Sequence, residues 1–323
     1  MKKRRIKKRV KLLIFVIIIV LSTFGIGKIL SSHSIDITLS NEKRQKEEEE
    51  RKRQLFLTCM KSPLDDSLLS SLDEEKEQLN SFLSQYKTSV YYVNLSDNFN
   101  YFYKEDKVYS AASLIKLLDA LYIYEGAAKG LIDLEELVEY KSIHKIGDSD
   151  IMNDKPLGTM VSLRDLVSYA LTYSDNVAHL MLYDYIGYEE LGRYAKELNL
   201  TTVASTTQKW GSITAIDANI LILRINDFIN NNKELGNELK SYMLNDKDNV
   251  LGSSTDYPVA HKYGLMKPVY HDVGIIYHEY PYSLVVLSEH SSNYEVVVSS
   301  IHQEIIKLHN DYLAVKESYC SSE

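Results

Sequence analysis

Cysteines and metal-ligand patterns are scarce in this sequence. Its 323 residues include two cysteines, Cys59 and Cys320, which are too few for a disulfide framework. They either pair, if the two ends of the chain meet, or remain as two free thiols. The chain has nine histidines but no His-x-x-x-His or Cys-x-x-Cys spacing. We therefore predict neither a metal site nor another cofactor.

Positive charge is scarce beyond the N-terminus. The net charge is −8, and the first eleven residues hold eight Lys or Arg and no acid, so the remainder carries −16. An acidic body of this kind argues against nucleic acid as the main partner. The length is sufficient for one large domain with appendages.

Long hydrophobic runs are also rare, and the one that stands out follows the basic segment 1–11. Residues 12–30 read LLIFVIIIVLSTFGIGKIL, broken only by Lys28, and about twenty apolar residues span a bilayer. Basic residues before the span place the N-terminus in the cytoplasm. A cleaved signal peptide is the alternative, but no Ala-x-Ala site follows the run. We expect a single-pass signal-anchor in the cell membrane, with a cytoplasmic tail and an extracytoplasmic body.

The rest of the chain divides by composition into a linker, a globular body and a short tail. Residues 31–69 are a mixed-charge stretch that suits a stalk, and 317–323 form the tail. Within 70–316, the periodicity predicts two early strands, a series of helices, three late strands and a closing helix. This order indicates an α+β fold. Its N- and C-terminal strands should form one five-stranded antiparallel sheet, with an all-α subdomain inserted between them.

A serine one helical turn before a lysine is the first chemical signal. Residues three apart share a helix face, and a neutral lysine can take the proton of a serine hydroxyl. Ser-x-x-Lys begins at four positions: Ser40, Ser84, Ser113 and Ser142. Of these, Ser113 alone opens a strongly apolar helix, which we expect to run from Leu114 to about Tyr124 and to end at Gly126. It places Lys116 one turn further along.

Two further motifs follow this serine in order. Ser174-Asp175-Asn176 joins two predicted apolar helices, and His261-Lys262-Tyr263-Gly264 lies on a predicted strand. Similar triplets occur earlier in the chain, where they have the wrong order and context. Another Ser-Asp-Asn at residues 96–98 precedes Ser113. An early Lys-x-Gly at 145–147 precedes Ser174 and has no strand pattern.

In this order the motifs resemble the penicillin-recognising serine enzymes, most closely the class A β-lactamase-like branch with Ser-x-x-Lys, Ser-Asp-Asn and Lys-Thr-Gly. The resemblance covers residues 70–316 and implies a β-lactamase/transpeptidase-like fold. It implies catalytic roles for Ser113 as nucleophile, Lys116 as base, Ser174 as proton relay and Lys262 as the charge that attracts a substrate carboxylate. It also implies substrate-binding positions at Asn176, Tyr263, Gly264 and Leu265, the last through its backbone amide in the oxyanion hole.

Two departures from the family pattern bear on function. Tyr263 replaces the threonine of Lys-Thr-Gly, and the stretch 201–211 has no acid where class A enzymes carry their deacylating glutamate. The resemblance therefore implies a serine hydrolase that forms an acyl-serine on a peptidoglycan stem peptide of D-Ala-D-Ala type, or on a β-lactam, and releases it slowly. Two alternatives stay open: a catalytically impaired cell-wall or divisome interaction module, and a true β-lactamase with an atypical deacylation base.

Overall fold

The computed structural model describes residues 2–147, 149–203, 209–290 and 292–322, and in its first helix the side chains of 15–25, 28 and 42 onwards. The chain divides into two compact units. The first ends at Cys59, and the second spans Met60–Ser322.

The first unit is formed by a long helix, α1 (Lys2–Met60), as far as Cys59. Its charged segment is solvent-exposed and carries ion pairs one turn apart, such as Lys43 with Glu47 and Lys52 with Glu48. The predicted span, 12–30, lies partly outside the described side chains. Within those that are described, no helix combines the length and apolar character needed to cross a membrane.

The second unit contains the predicted five-stranded antiparallel sheet. Its strands are β1 (Thr88–Asn94), β2 (Asn100–Tyr103), β7 (Val259–Met266), β8 (Val269–Ile276) and β9 (Tyr282–Ser288). The strand order is β2-β1-β9-β8-β7, so the early and late strands meet at β1 and β9. The fold predicted from the sequence is therefore confirmed.

Both faces of the sheet are covered, because β8 and β9 are buried along their whole length. Successive side chains of a strand point to opposite faces. Val285 and Leu287 join the main core on the face that packs against the helices, and Leu284 and Val286 are buried on the other. The helices α3 (Asp73–Leu83) and α10 (Tyr294–Ser322) pack against each other and α10 contacts β9. A short helix, α2 (Asp66–Leu69), precedes α3.

A helical region lies between the early and late strands, as predicted. Its helices are α4 (Lys116–Ala128), α5 (Leu163–Thr172), α6 (Asn176–Ile186), α7 (Tyr188–Glu197), α8 (Ala215–Asn231) and α9 (Lys233–Leu244). Two small sheets join its loops: β3 (Tyr109–Ser110) with β6 (Ser212–Ile213), and β4 (Leu137–Glu139) with β5 (Met160–Ser162).

One helix prediction needs correction, and one helix was not predicted. We expected Gly126 to end α4, but the helix continues to Ala128. A Cβ on Gly126 would lie 2.4 Å from Ile132 Cδ1, so this glycine permits close packing rather than ending the helix. We did not predict α9, whose sequence is mostly polar, although Leu239 and Met243 are fully buried.

Buried polar contacts explain one of the misleading motifs. Asp97, the acid of the second Ser-Asp-Asn, is buried and bonded to Tyr312 and Lys316 of α10. Burial lowers the pKa of Lys316 to about 8. This copy of the motif thus joins the first turn of the sheet to the last helix.

Both Cys59 and Cys320 are disulfide-bonded, so the free-thiol alternative does not hold.

Candidate active site

Ser113 lies in a tight turn, Ala112–Ile115, that leads directly into α4. The preceding residue, Ala112, has a φ of 47°, a left-handed conformation that is unusual for a residue other than glycine. Such backbone strain persists where the surrounding structure imposes it, often at functional sites. Ser113 is 9% exposed and lines a cavity of about 690 Å³, so its hydroxyl sits at a boundary between core and cleft.

Lys116 is fully buried beneath this serine. Its Nζ lies 2.9 Å from Ser113 Oγ, 2.6 Å from the Ser174 carbonyl oxygen and 2.8 Å from Asn176 Oδ1. Burial, assisted by the positive charge of Lys262, holds the pKa of Lys116 well below its usual value. A neutral amine has two N–H donors and one lone pair. The carbonyl and amide oxygens can take the donors, which leaves the lone pair for the Ser113 hydroxyl proton.

Ser174 completes this group of contacts. Its Oγ lies 3.2 Å from Lys116 Nζ, and its φ is 54°. The next residue, Asp175, caps α6 and is almost fully buried. Its carboxylate accepts hydrogen bonds from Ser149 Oγ and from the backbone amides of residues 151, 152 and 178. Asp175 therefore braces the loop that holds Ser174. Three motif residues, Ser113, Ser174 and Asn176, meet around Lys116.

The third motif reaches the nucleophile through the backbone of β7. A Cβ on Gly264 would lie 3.2 Å from the Ala111 carbonyl oxygen and 3.3 Å from the Ser113 backbone nitrogen, tighter than ordinary van der Waals contact. Glycine at this position lets the strand pass beside Ser113. Leu265 follows on the same strand, and its side chain is exposed at the cavity. The proposed roles of these residues in substrate binding stay predictions.

Lys262 has a partner that we did not predict. Its ammonium is fully buried and lies 3.0 Å from Asp246 Oδ2. Burial lowers the pKa of Lys262, and Asp246 opposes this effect. A second buried pair lies beside it, with His261 Nδ1 2.8 Å from Asp272 Oδ1. Asp246 stands on a polar loop, sixteen residues before the lysine, and no sequence spacing marks it as a partner.

The wall opposite the strand is aromatic. Trp210 lines the cavity, and its ring centroid lies 5.8 Å from Lys116 Nζ and 4.8 Å from the ring of His179. His179 in turn contacts Asp119 and the Lys209 carbonyl oxygen, at 2.5 and 3.0 Å. We did not single out this buried pair from the sequence. Within 201–211, residues 204–208 lie outside the described part of the chain.

The rim of the cavity also includes a motif that we set aside. Ile146 and Gly147, from the early Lys-x-Gly, line it together with Tyr173 and Tyr263. The loop that carries them is tied down by Asp175 through residues 149–152. In the residues that the structure describes, no group of three or more His, Cys, Asp or Glu could hold a metal ion.

Comparisons with known proteins agree with this geometry. Residues 74–308 match the model of the beta-lactamase enzyme family. Among solved structures, PBP-A has a TM-score of 0.68 and 18% identity, covering 74% of this chain and 97% of its own. A mutant of PBP-A, solved as an acyl-enzyme complex with penicillin G, has a TM-score of 0.69 and 17% identity, with the same coverage.

A beta-lactamase from Chitinophaga pinensis is similar in fold, with a TM-score of 0.65, 18% identity, and coverage of 75% of this chain and 100% of its own. A comparison with curated proteins gave no significant match. The family match covers most of the chain, and the five-stranded sheet and the helical region agree with the fold of the solved structures. The chain therefore belongs to the beta-lactamase enzyme family and has the fold of its serine hydrolases.

Proposed function

We propose that this protein is a serine acyl-transfer hydrolase that forms an acyl-serine with D-Ala-D-Ala-type peptides or β-lactams and releases it slowly. The observation that carries this proposal is the 2.9 Å contact between Ser113 Oγ and a buried Lys116 whose pKa is lowered by burial. A serine becomes nucleophilic when an adjacent base takes its proton, and a neutral lysine at this distance meets that requirement.

The contacts support the following sequence for acylation. Lys116 Nζ takes the Ser113 proton as Oγ forms a bond to the carbonyl carbon of the substrate. The carbon–nitrogen bond then breaks. The departing nitrogen receives a proton from Ser174 Oγ, which regains one from Lys116 across their 3.2 Å contact. The products are an acyl ester on Ser113 and a free amine, or a ring-opened amine in a β-lactam.

The acyl group should be released from Ser113 slowly, because the described part of the stretch 201–211 offers no carboxylate base. Hydrolysis of an acyl-serine needs a base to activate water, and the described residues of 201–211 include no acid. Trp210 occupies the space beside Lys116 instead. The reported penicillin complex of the PBP-A mutant supports a β-lactam as one acyl donor here. A peptidoglycan stem peptide is the corresponding cell-wall donor in this proposal.

We also propose that residues 12–30 anchor the protein in the cell membrane, with residues 1–11 in the cytoplasm and the catalytic unit outside. The described apolar side chains of 15–21 and Phe24 are exposed, and an exposed apolar run favours a membrane or a partner. The bonded state of both cysteines favours an oxidising compartment. Membrane fractionation of the full chain and of a variant lacking residues 2–30 tests this, and a full chain found free in the medium would contradict it.

The chemical proposal is tested by intact-protein mass spectrometry after exposure to penicillin. We expect a stoichiometric, lasting adduct on the wild type and none on Ser113→Ala, with a Ser142→Ala variant as the matched control for a second Ser-x-x-Lys. Absence of an adduct at any concentration would favour a binding module. The buried Lys262–Asp246 pair and Tyr263 are the observations that favour this second candidate. Rapid penicillin hydrolysis without a lasting adduct would indicate a true β-lactamase with another base.

A further inference from the structure

The charge that should attract a substrate carboxylate is already neutralised inside the protein. Lys262 has no exposed surface, and its ammonium forms an ion pair with Asp246, which is itself 6% exposed. Asp246 Oδ2 also accepts the backbone N–H of Tyr263, at 3.3 Å. The same carboxylate thus holds both the charged end of Lys262 and the strand that carries it. Removing a buried charge from its partner is costly, so a substrate would have to compete with Asp246.

Tyr263 separates this ion pair from the cavity. The Lys262 ammonium lies 4.0 Å from the centroid of the Tyr263 ring, over its face. Tyr263 lines the cavity, whereas Lys262 reaches no solvent. Burial raises the pKa of the Tyr263 hydroxyl, and a hydrogen bond with Ser174 partly opposes this. The hydroxyl therefore remains neutral beside Ser174. Within the described residues, no hydrogen bond joins Lys262 to Ser174.

The rest of the cavity presents little free positive charge to a buried ligand. Lys247 is bonded to Asp150 across the rim, and Lys267 lies on the exposed turn between β7 and β8. The remaining wall combines aromatic and apolar side chains, such as Tyr173, Trp210 and Met266, with the polar groups of Ser174 and Asn176. An uncharged polar group can thus occupy the Tyr263 end of the cavity as readily as a carboxylate can.

We infer that Asp246 and Tyr263, by pairing and covering the charge of Lys262, make acylation independent of a carboxylate next to the scissile amide, so that donors with an uncharged ester or amide at this position are accepted as well as the free acids. This inference rests on the proposed acyl-serine chemistry and extends its substrate class. A carboxylate gains little at this position because the positive charge of Lys262 is paired and covered. Esterification or amidation of this carboxylate should therefore have little effect on the rate of acylation.

The test compares the acylation rates of a penicillin and its methyl ester, measured by intact-protein mass. For the wild type we expect the two rate constants to agree within about threefold. The Asp246→Asn, Tyr263→Thr double variant uncovers and frees the ammonium, and it should favour the free acid by at least about tenfold. Asp248→Asn is the matched control, because it removes a charge from the same loop, and its two rates should stay as close as those of the wild type.

Three results would contradict the inference. A wild type that is acylated more than about tenfold faster by the free acid than by the methyl ester would overturn it, whichever lysine binds the carboxylate. A double variant that is folded by circular dichroism and still shows no preference would refute the roles of Asp246 and Tyr263. An adduct with neither compound would refute the proposed function itself. That outcome is distinct from the first two, in which acylation occurs.

Discussion

Trp210 offers the sharpest test of why an acyl-serine should persist. Its ring lies 5.8 Å from Lys116 Nζ, so a Trp210→Glu variant places a carboxylate beside the proposed base. Two charges about 6 Å apart at an effective dielectric constant of about 20 interact by about 3 kcal/mol. That interaction would raise the pKa of Lys116 by ~2 units. Acylation at pH 7 should then slow by up to about a hundredfold, because less of the lysine is neutral.

Release should change in the opposite direction. A positioned carboxylate can activate water, and general bases contribute at least about a hundredfold. We expect the Trp210→Glu adduct to decay at least about tenfold faster than that of Trp210→Gln, which removes the indole without adding charge. The assay forms the adduct with excess penicillin, removes free penicillin by rapid desalting and follows the protein mass. Equal decay in the two variants would refute the view that a missing base limits release.

Four further predictions concern the frame around the nucleophile. The acylation rate should fall tenfold for each pH unit below the lowered pKa of Lys116, since only the neutral amine accepts a proton; a flat pH–rate profile would exclude this base. Gly264→Ala should slow acylation at least about tenfold, because the added Cβ would crowd Ser113. The control Leu265→Ala leaves the backbone amide in place and should retain the wild-type acylation rate within about threefold. Asp175→Asn should lower the free energy of unfolding by roughly 3 kcal/mol in urea titrations, since it disrupts buried hydrogen bonds to a carboxylate. Burial lowers the pKa of His271 to about 4, so between about pH 6.5 and about pH 4 this histidine is protonated in the unfolded chain but not in the folded protein. The free energy of unfolding should therefore fall by up to ~3 kcal/mol as the pH drops through this range. In His271→Gln this part of the pH dependence should disappear.

The sheet and most helices could be predicted because their residues follow simple patterns. The β-branched and aromatic run of β1 and the N-cap Ser162 before α5 are local signals, and the structure has both. Helix α9 was missed because its buried residues, Leu239 and Met243, are too few to stand out in a polar stretch. Gly126 misled us because a glycine that permits close packing and a glycine that ends a helix look the same in sequence.

The order of the three motifs predicted the contacts around Lys116, but it did not predict the buried acid–base pairs that lie behind them. Asp246 and Asp119 are single acids in ordinary surroundings, and their partners, Lys262 and His179, lie 16 and 60 residues away. Such pairs are made by the fold, when two loops or helices bring distant side chains into a buried space. The spacing of residues in the sequence does not reveal such pairs. The consequence for Lys262 is large, since its expected role depends on whether its charge is free.

The most direct test of the central claim is the lifetime and position of the penicillin adduct. Wild-type protein is acylated, freed of penicillin and sampled over time, and the modified peptide is identified by fragmentation. The account predicts one adduct, on Ser113, that persists long after penicillin is removed and does not form on Ser113→Ala. An adduct on another residue, or one that is lost within seconds, would contradict it.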